Sequence, residues 1–402
     1  MLNRLSPVRT VRTGHLSALW RSKVRANYGP FNPSACERRQ IHSSGYFLPP
    51  VIFISLLFAL YTWKSFIMIS LQNKIIYAPY LPPTARFERI EDWQSKLFGI
   101  EWKEVHMRSI DGTDLALAVA TVSSHAGIDE SLQQSVSHHV YILYLQGNAS
   151  SLPPRLPDHS WILSKIKTSF KGEYPGCGKV RFTQVGLSYR GYWTSAGSAN
   201  ETGINLDTIA AVQWISQLHE NTYSYSKSGG QATRPILFVW GQSIGAGFAS
   251  NLAASGLIPS HLEPTALILE TPFLSVKAML ASLYPERWLP YRYLHPFLRN
   301  FLDSYKNLGT IAAQRLEKGI QPPRIFILEA GRDEIVPPNH PKKLQERCTE
   351  LDLPVERVVV SRAFHSDAMD GRINVAEFIM RQTAKSVYAT RSESAAAGSP
   401  KP

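Results

Sequence analysis

"LFVWGQSIGAGFAS", residues 237–250, runs from an apolar strand pattern through Gly-Gln-Ser-Ile-Gly into small residues at helical spacing. A serine between two glycines at a strand-to-helix junction is the pattern of a nucleophile elbow, a turn so tight that its neighbours two positions away have no room for a side chain. Such a turn lifts the Ser243 hydroxyl out of the sheet and sets the Ile244 NH at a helix N-terminus, facing a developing oxyanion. A hydroxyl is a poor nucleophile near neutral pH, so this reading requires a base and an acid elsewhere in the chain.

On this architecture the order is Ser, then Asp or Glu, then His. "LEAGRDEIVP" (328–337) puts Asp333 just after an apolar strand, and "VVVSRAFHSDAM" (358–369) puts His365 in the loop after the last one. Glu334 and Asp367 are the rival carboxylates. Glu334 is expected to point elsewhere in its turn, and Asp367 to cap the following helix. His340 and His295 are the rival bases, and neither follows a final strand. The second oxyanion donor belongs after an early strand, where "LYLQGNASS" (143–151) offers the Asn148 NH, with Gly147 permitting close backbone approach.

Short apolar strands at 140–145, 183–189, 235–240, 266–270, 324–330 and 356–360 alternate with helical patterns at 157–168, 203–219, 244–255 and 338–350. Strands that are apolar on both faces and separated by helices imply an α/β fold with a mostly parallel sheet covered on both sides. "EVHMRSIDGTDLALAVA" (104–120) alternates around Asp-Gly and reads as a hairpin ahead of it. Residues 274–323 are rich in Leu, Tyr, Trp and Phe and broken by prolines. They read as a partial cap over the site or as extra helices on the sheet. The tail from residue 384 has the composition of a disordered segment.

The formal charge is +12, and residues 1–44 hold eight Lys and Arg against a single acid, Glu37. The remainder is an ordinary surface with no phosphate-tracking stripe, which argues against nucleic-acid binding. The Arg-rich, acid-poor N-terminus has the composition of a mitochondrial targeting segment, and "RRQIHSS" resembles a presequence trimming site. Residues 43–63 carry no charged side chain and predict one membrane helix over 45–64, with Pro49 and Pro50 in its first turn. Insertion as an endoplasmic-reticulum signal anchor is the alternative; the sequons at Asn148 and Asn200 would then be testable. Cys36, Cys177 and Cys348 are too few and too far apart for a disulfide framework or a metal site.

Taken together, "QGNASS", "SYRGYWTSAGS", "WGQSIGAGFAS", "ETPFLSV", "EAGRDEIVPP" and "AFHSDAM" resemble the membrane-anchored α/β-hydrolase-domain-containing proteins of types 12, 13 and 17 over about residues 72–382; "QNKIIYAPYLPP" is similar to the fungal members. The resemblance implies the α/β-hydrolase fold and serine hydrolase chemistry on acyl esters or thioesters, without cofactor or metal. It places the nucleophile on Ser243, the acid on Asp333 and the base on His365. Gln146 and Ser188 depart from the His and Asp usual at those positions. Trp288 and Tyr291 are expected to line an apolar path for an acyl chain, and the expected substrate is a lysophospholipid or monoacylglycerol. A protein S-acyl thioesterase, a serine peptidase and a catalytically silent membrane scaffold are the alternatives; no sequence feature fixes the oligomeric state.

Overall fold

The structure, a computed structural model, describes residues 44–124, 138–224 and 235–397. The expected targeting segment lies outside the described residues. The chain divides into two units, residues 1–58 and 59–402. Helix α1, Ser44–Ser70, is a run of apolar side chains in which Pro49 and Pro50 fall in the second turn rather than the first, because the helix begins at Ser44. Among the described residues, Phe47–Ser70 is long and apolar enough to cross a membrane. The helix passes Lys64, where it was expected to stop, because a lysine interrupts an apolar run without breaking a helix; its ammonium lies over the rings of Tyr291 (4.3 Å) and Tyr284 (5.2 Å), and Phe66–Ile69 continue the apolar pattern. Helix α2, Gln72–Tyr77, follows and ends on a left-handed Ala78.

The second unit is built on one eight-stranded sheet. Strands β1 (Trp102–Arg108) and β2 (Asp114–Ser123) form the expected hairpin, with Asp111 Oδ1 accepting from the Thr113 NH and hydroxyl to shape the loop. Then come β3 (His138–Leu145), helix α3 (Leu156–Glu173), β4 (Val180–Leu187), α4 (Glu201–Ser224), β5 (Ile236–Gln242), α5 (Ile244–Ala254) and β6 (Ala266–Glu270). Helices α6 (Val276–Leu283) and α7 (Ser304–Lys318) precede β7 (Arg324–Ala330), followed by α8 (Asn339–Glu350), β8 (Val355–Val360) and α9 (Arg372–Ala397). The strand order is β1-β2-β4-β3-β5-β6-β7-β8, antiparallel through β1, β2 and β4 and parallel from β4 to β8.

Both faces are covered, and the strands show it residue by residue. On β5, Ile236, Phe238 and Trp240 enter one apolar cluster with side chains of α3 and α9, while Leu237 and Val239 enter the other with α4, α5, α7 and α8. Two free thiols are divided in the same way, Cys177 in the first cluster and Cys348 in the second, both fully buried. The chain leaves β3 in one direction, to β4, and returns on the other side to form β5. Ligands bind at the carboxyl ends of strands at such a reversal.

Two expectations change. The segment 274–323 is not one excursion: α7 packs beside α5 with Leu308 and Ile311 buried, and the part before it holds α6, whose Val276 and Met279 pack against the same cluster, and short 3₁₀ turns at Pro290–Tyr293 and His295–Phe297. The tail is not disordered from residue 384, since α9 runs to Ala397. Its polar composition hides a stripe at helical spacing, Met380, Ala384 and Val387, which is buried in the first cluster.

Candidate active site

Ser243 joins β5 to α5 with φ 53° and ψ −115°, a backbone that a non-glycine residue adopts only under constraint. Its NH donates to Glu270 O (2.8 Å) at the end of the neighbouring β6. The flanking glycines are required by space. A Cβ on Gly241 would lie 2.1 Å from Gly245 O, and one on Gly245 would lie 2.0 Å from Leu145 O. The second clash is with the end of β3, so the turn is wedged against the strand that leads to Asn148.

The loops after β7 and β8 are stitched together: the Gly331 NH donates to Val360 O and the Arg332 NH to Ala363 O. That stitching brings Asp333 and His365 side by side. His365 Nδ1 lies 2.8 and 3.0 Å from the Asp333 carboxylate oxygens, and Nε2 lies 3.0 Å from Ser243 Oγ. A carboxylate can only accept, so the ring proton sits on Nδ1 and the Nε2 lone pair of the neutral imidazole faces the serine hydroxyl. Asp333 Oδ1 also accepts from the Ile335 and Val336 amides (2.9 and 2.7 Å). Burial alone would raise the Asp333 pKa; the bonds from His365 and the two amides outweigh it and hold the carboxyl below its ordinary value.

Glu334, the rival carboxylate, does not reach the imidazole. Instead its Oε2 accepts the His365 backbone NH (3.0 Å), a positioning bond that the sequence did not announce. Asp367 bonds locally to Ser366, and His340 is buried under α6 with Nε2 3.5 Å from Ser282 Oγ. Beneath the serine lies a buried polar layer, also missed, whose only sequence signal is an acid ending the apolar strand "ALILE". Glu270 accepts from Trp240 Nε1 (3.0 Å), and Tyr144 donates to Gln242 Oε1 (3.1 Å). Burial pushes the Glu270 carboxyl up to about 7, with Arg155 opposing.

The Ile244 amide opens α5, and Asn148 is exposed at the end of β3, so both expected oxyanion donors stand at the carboxyl edge where the sheet reverses. Gln146 is buried with neither amide atom hydrogen-bonded among the described residues, while Ser188 donates to Tyr192 O (3.1 Å). Arg190 is buried with Asp207 and Ser109 and reaches the exposed Asp111 in the β1–β2 loop, which is a structural role. Of the two side chains expected to meet an acyl chain, Trp288 is exposed. Tyr291 is buried between Tyr61 and Tyr284, at centroid distances of 5.3 and 5.2 Å. Among the described residues neither is hydrogen-bonded to Ser243, His365 or Asp333, and Tyr291 is engaged by Tyr61 and Lys64 of α1.

A mostly parallel sheet that reverses at β3, with a serine elbow after β5, an acid after β7 and a histidine after β8, defines the α/β-hydrolase fold. By sequence the chain is homologous to the lysophosphatidylserine lipases ABHD12. It is 34% identical over 215 residues to that of Danio rerio, covering 53% of this chain and 48% of the relative. With that of Mus musculus it is 32% identical over 232 residues, 58% of this chain and 51% of the relative. The chain thus spans about half the length of the curated relatives it matches. No family model matches it. Among solved structures, an esterase of Pyrococcus furiosus superposes with a TM-score of 0.47 at 18% identity, over 72% of this chain and 93% of that one.

Proposed function

We propose that the chain is a membrane-anchored serine hydrolase that cleaves long-chain acyl esters, with a lysophospholipid or monoacylglycerol as substrate. The observation that carries this reading is the hydrogen-bonded series Ser243 Oγ, His365 Nε2, His365 Nδ1, Asp333 at the carboxyl edge of the sheet. Homology to proteins named as lysophosphatidylserine lipases supports a lipid substrate.

In this mechanism His365 Nε2 takes the Ser243 proton as Oγ attacks the acyl carbonyl, and Asp333 stabilises the imidazolium that forms. The NH groups of Ile244 and Asn148 receive the oxyanion. The imidazolium returns its proton to the leaving alcohol, and water, activated by the same nitrogen, releases the acyl group from Ser243. An acyl chain costs about 0.8 kcal/mol per CH₂ to expose to water, so a lipid substrate is best met at the bilayer. The apolar helix Phe47–Ser70 supports that location.

A fluorophosphonate probe is expected to label the full-length protein at Ser243. Ser243→Ala should abolish labelling and lower hydrolysis of membrane lipid extracts by roughly six orders of magnitude. Labelling that survives the substitution would assign the nucleophile elsewhere. The proposed mitochondrial location rests on residues 1–44 alone. Those residues fused to a fluorescent reporter should reach mitochondria, and a cytosolic or reticular pattern would remove that location without touching the chemistry.

A further inference from the structure

The loop that carries Asn148 is not held by its own strand alone. The two residues after it, Ala149 and Ser150, have φ of 56° and 60°, and consecutive left-handed non-glycine residues persist only where their surroundings fix them. Their amides supply the fixing: the Ala149 NH donates to Tyr77 O (2.8 Å) and the Ser150 NH to Leu81 O. Both acceptors belong to the segment that leaves the apolar helix.

That segment is itself tied on every side. Tyr77 is fully buried, its ring stacked 6.2 Å from Phe248 of α5, the helix that opens at the nucleophile. Its carbonyl takes a second donor, the Tyr192 hydroxyl, and its own hydroxyl donates to Asn300 Oδ1 (2.8 Å). The Asn300 amide nitrogen donates back to Gln72 Oε1 (3.2 Å) and Asn73 Oδ1 (2.7 Å). Arg299 donates from its NH to Gln72 Oε1 (2.7 Å) and from its guanidinium to Ile69 O and Ser70 O, the last carbonyls of α1. Leu302 then packs on α5 at Gly247, where an added Cβ would lie 2.9 Å from Leu302 Cβ.

From these bonds we propose that residues 72–81 are a strap that positions the oxyanion loop, with Tyr77 as its positioning residue. By holding the Ala149 NH, the Tyr77 carbonyl fixes the peptide plane that follows Asn148 and so the direction of the donor before it. The proposal rests on the reading of Asn148 as an oxyanion donor in a serine hydrolase. It makes the stretch between the membrane helix and the sheet part of the machinery rather than a tether.

The test uses the full chain in detergent, a short soluble ester, and turnover per fluorophosphonate-titrated site. Tyr77→Ala is expected to lower kcat by about 10-fold or more with KM changed less than about 2-fold, because an oxyanion donor acts on the transition state and not on the bound ester. Affinity for a trifluoromethyl ketone, whose serine adduct carries an oxyanion, should fall by the same factor while affinity for the carboxylate product holds. Tyr77→Phe keeps the ring and the carbonyl and should recover most of the rate. If Tyr77→Ala does not fold, Tyr192→Phe removes one donor from the Tyr77 carbonyl and should move kcat and ketone affinity together by about 3-fold. Wild-type values of both in the folded variant overturn the strap alone. Absence of labelling in the unsubstituted protein overturns the hydrolase reading and the strap with it.

Discussion

Gly245 is where one methyl group would do most damage. Its Cβ would meet two backbone carbonyl oxygens, Leu145 O at 2.0 Å and Gln146 O at 2.6 Å, and backbone cannot step aside as a flexible side chain does. Gly245→Ala should therefore cost about 3 kcal/mol or more, at the upper end of overpacking, and show as a large fall in thermal midpoint or in folded yield. Asp333 is a subtler case. Its Oδ1 accepts two backbone amides, so in Asp333→Asn the amide oxygen should stay there and the new NH₂ should face His365 Nδ1. That donor forces the ring proton onto Nε2, where it blocks transfer from Ser243. A loss of about 10³- to 10⁴-fold in kcat with an unchanged melting curve is expected, and near-normal turnover would reassign the acid. Glu270 gives a pH signature. Its folded pKa of about 7 lies above the ordinary 4.5, so between those values the unfolded chain has released a proton that the native state keeps. Stability from this group is therefore full below about 4.5 and is lost as pH rises to about 7. Glu270→Gln should flatten that slope in melting temperatures taken across the window, and an unaltered slope would locate the titration elsewhere.

At the scale of elements, α9 separates composition from structure. Val387 and Ala384 are buried although "TAKSVYATRSES" reads as a polar tail, and Tyr388 packs under Gly176, 3.1 Å from where its Cβ would be. Val387→Ala should lower stability by about 2 kcal/mol in thermal unfolding, whereas a disordered tail would leave it unchanged. The same contrast explains what the sequence could and could not disclose. Strands β6 and β7 are legible to the residue, 266–270 and 324–330, because a strand buried on both faces carries a near-continuous apolar run, here Ala266–Leu269 and Ile325–Leu328. That Ser243, Asp333 and His365 meet is legible because a fixed chain order and strand ends announce it. The roles of Tyr77 and Glu334 are not, since the first depends on a backbone carbonyl met by a loop more than seventy residues away and the second on a backbone NH. Trp288 and Tyr291 are legible only as aromatic density, which marks a buried or greasy surface without saying which; Trp288 is exposed and Tyr291 buried. Here the end of α1 takes up Tyr291.

At the scale of the whole molecule, Phe47–Ser70 carries a dense run of exposed apolar side chains, with Phe53, Leu56 and Phe58 all more than half exposed. If it spans a bilayer, lysines at Leu56 and Leu57, near its middle, should cost about 5–7 kcal/mol of insertion free energy together. The full chain is expected to stay in the membrane pellet after an alkaline carbonate wash and the doubly substituted chain to be released. Retention of both would refute anchoring by this helix. The division of the two thiols between the apolar layers has a practical consequence. Burial pushes the Cys348 thiol up to about 12, and the Cys177 thiol is raised as well, so neither reacts while its layer is closed. With Cys36 replaced by serine, pulsed alkylation followed by peptide mass spectrometry would time the opening of each side independently. The protein thus carries its own pair of clocks, one reading the α3–α9 side and the other the side that bears α5.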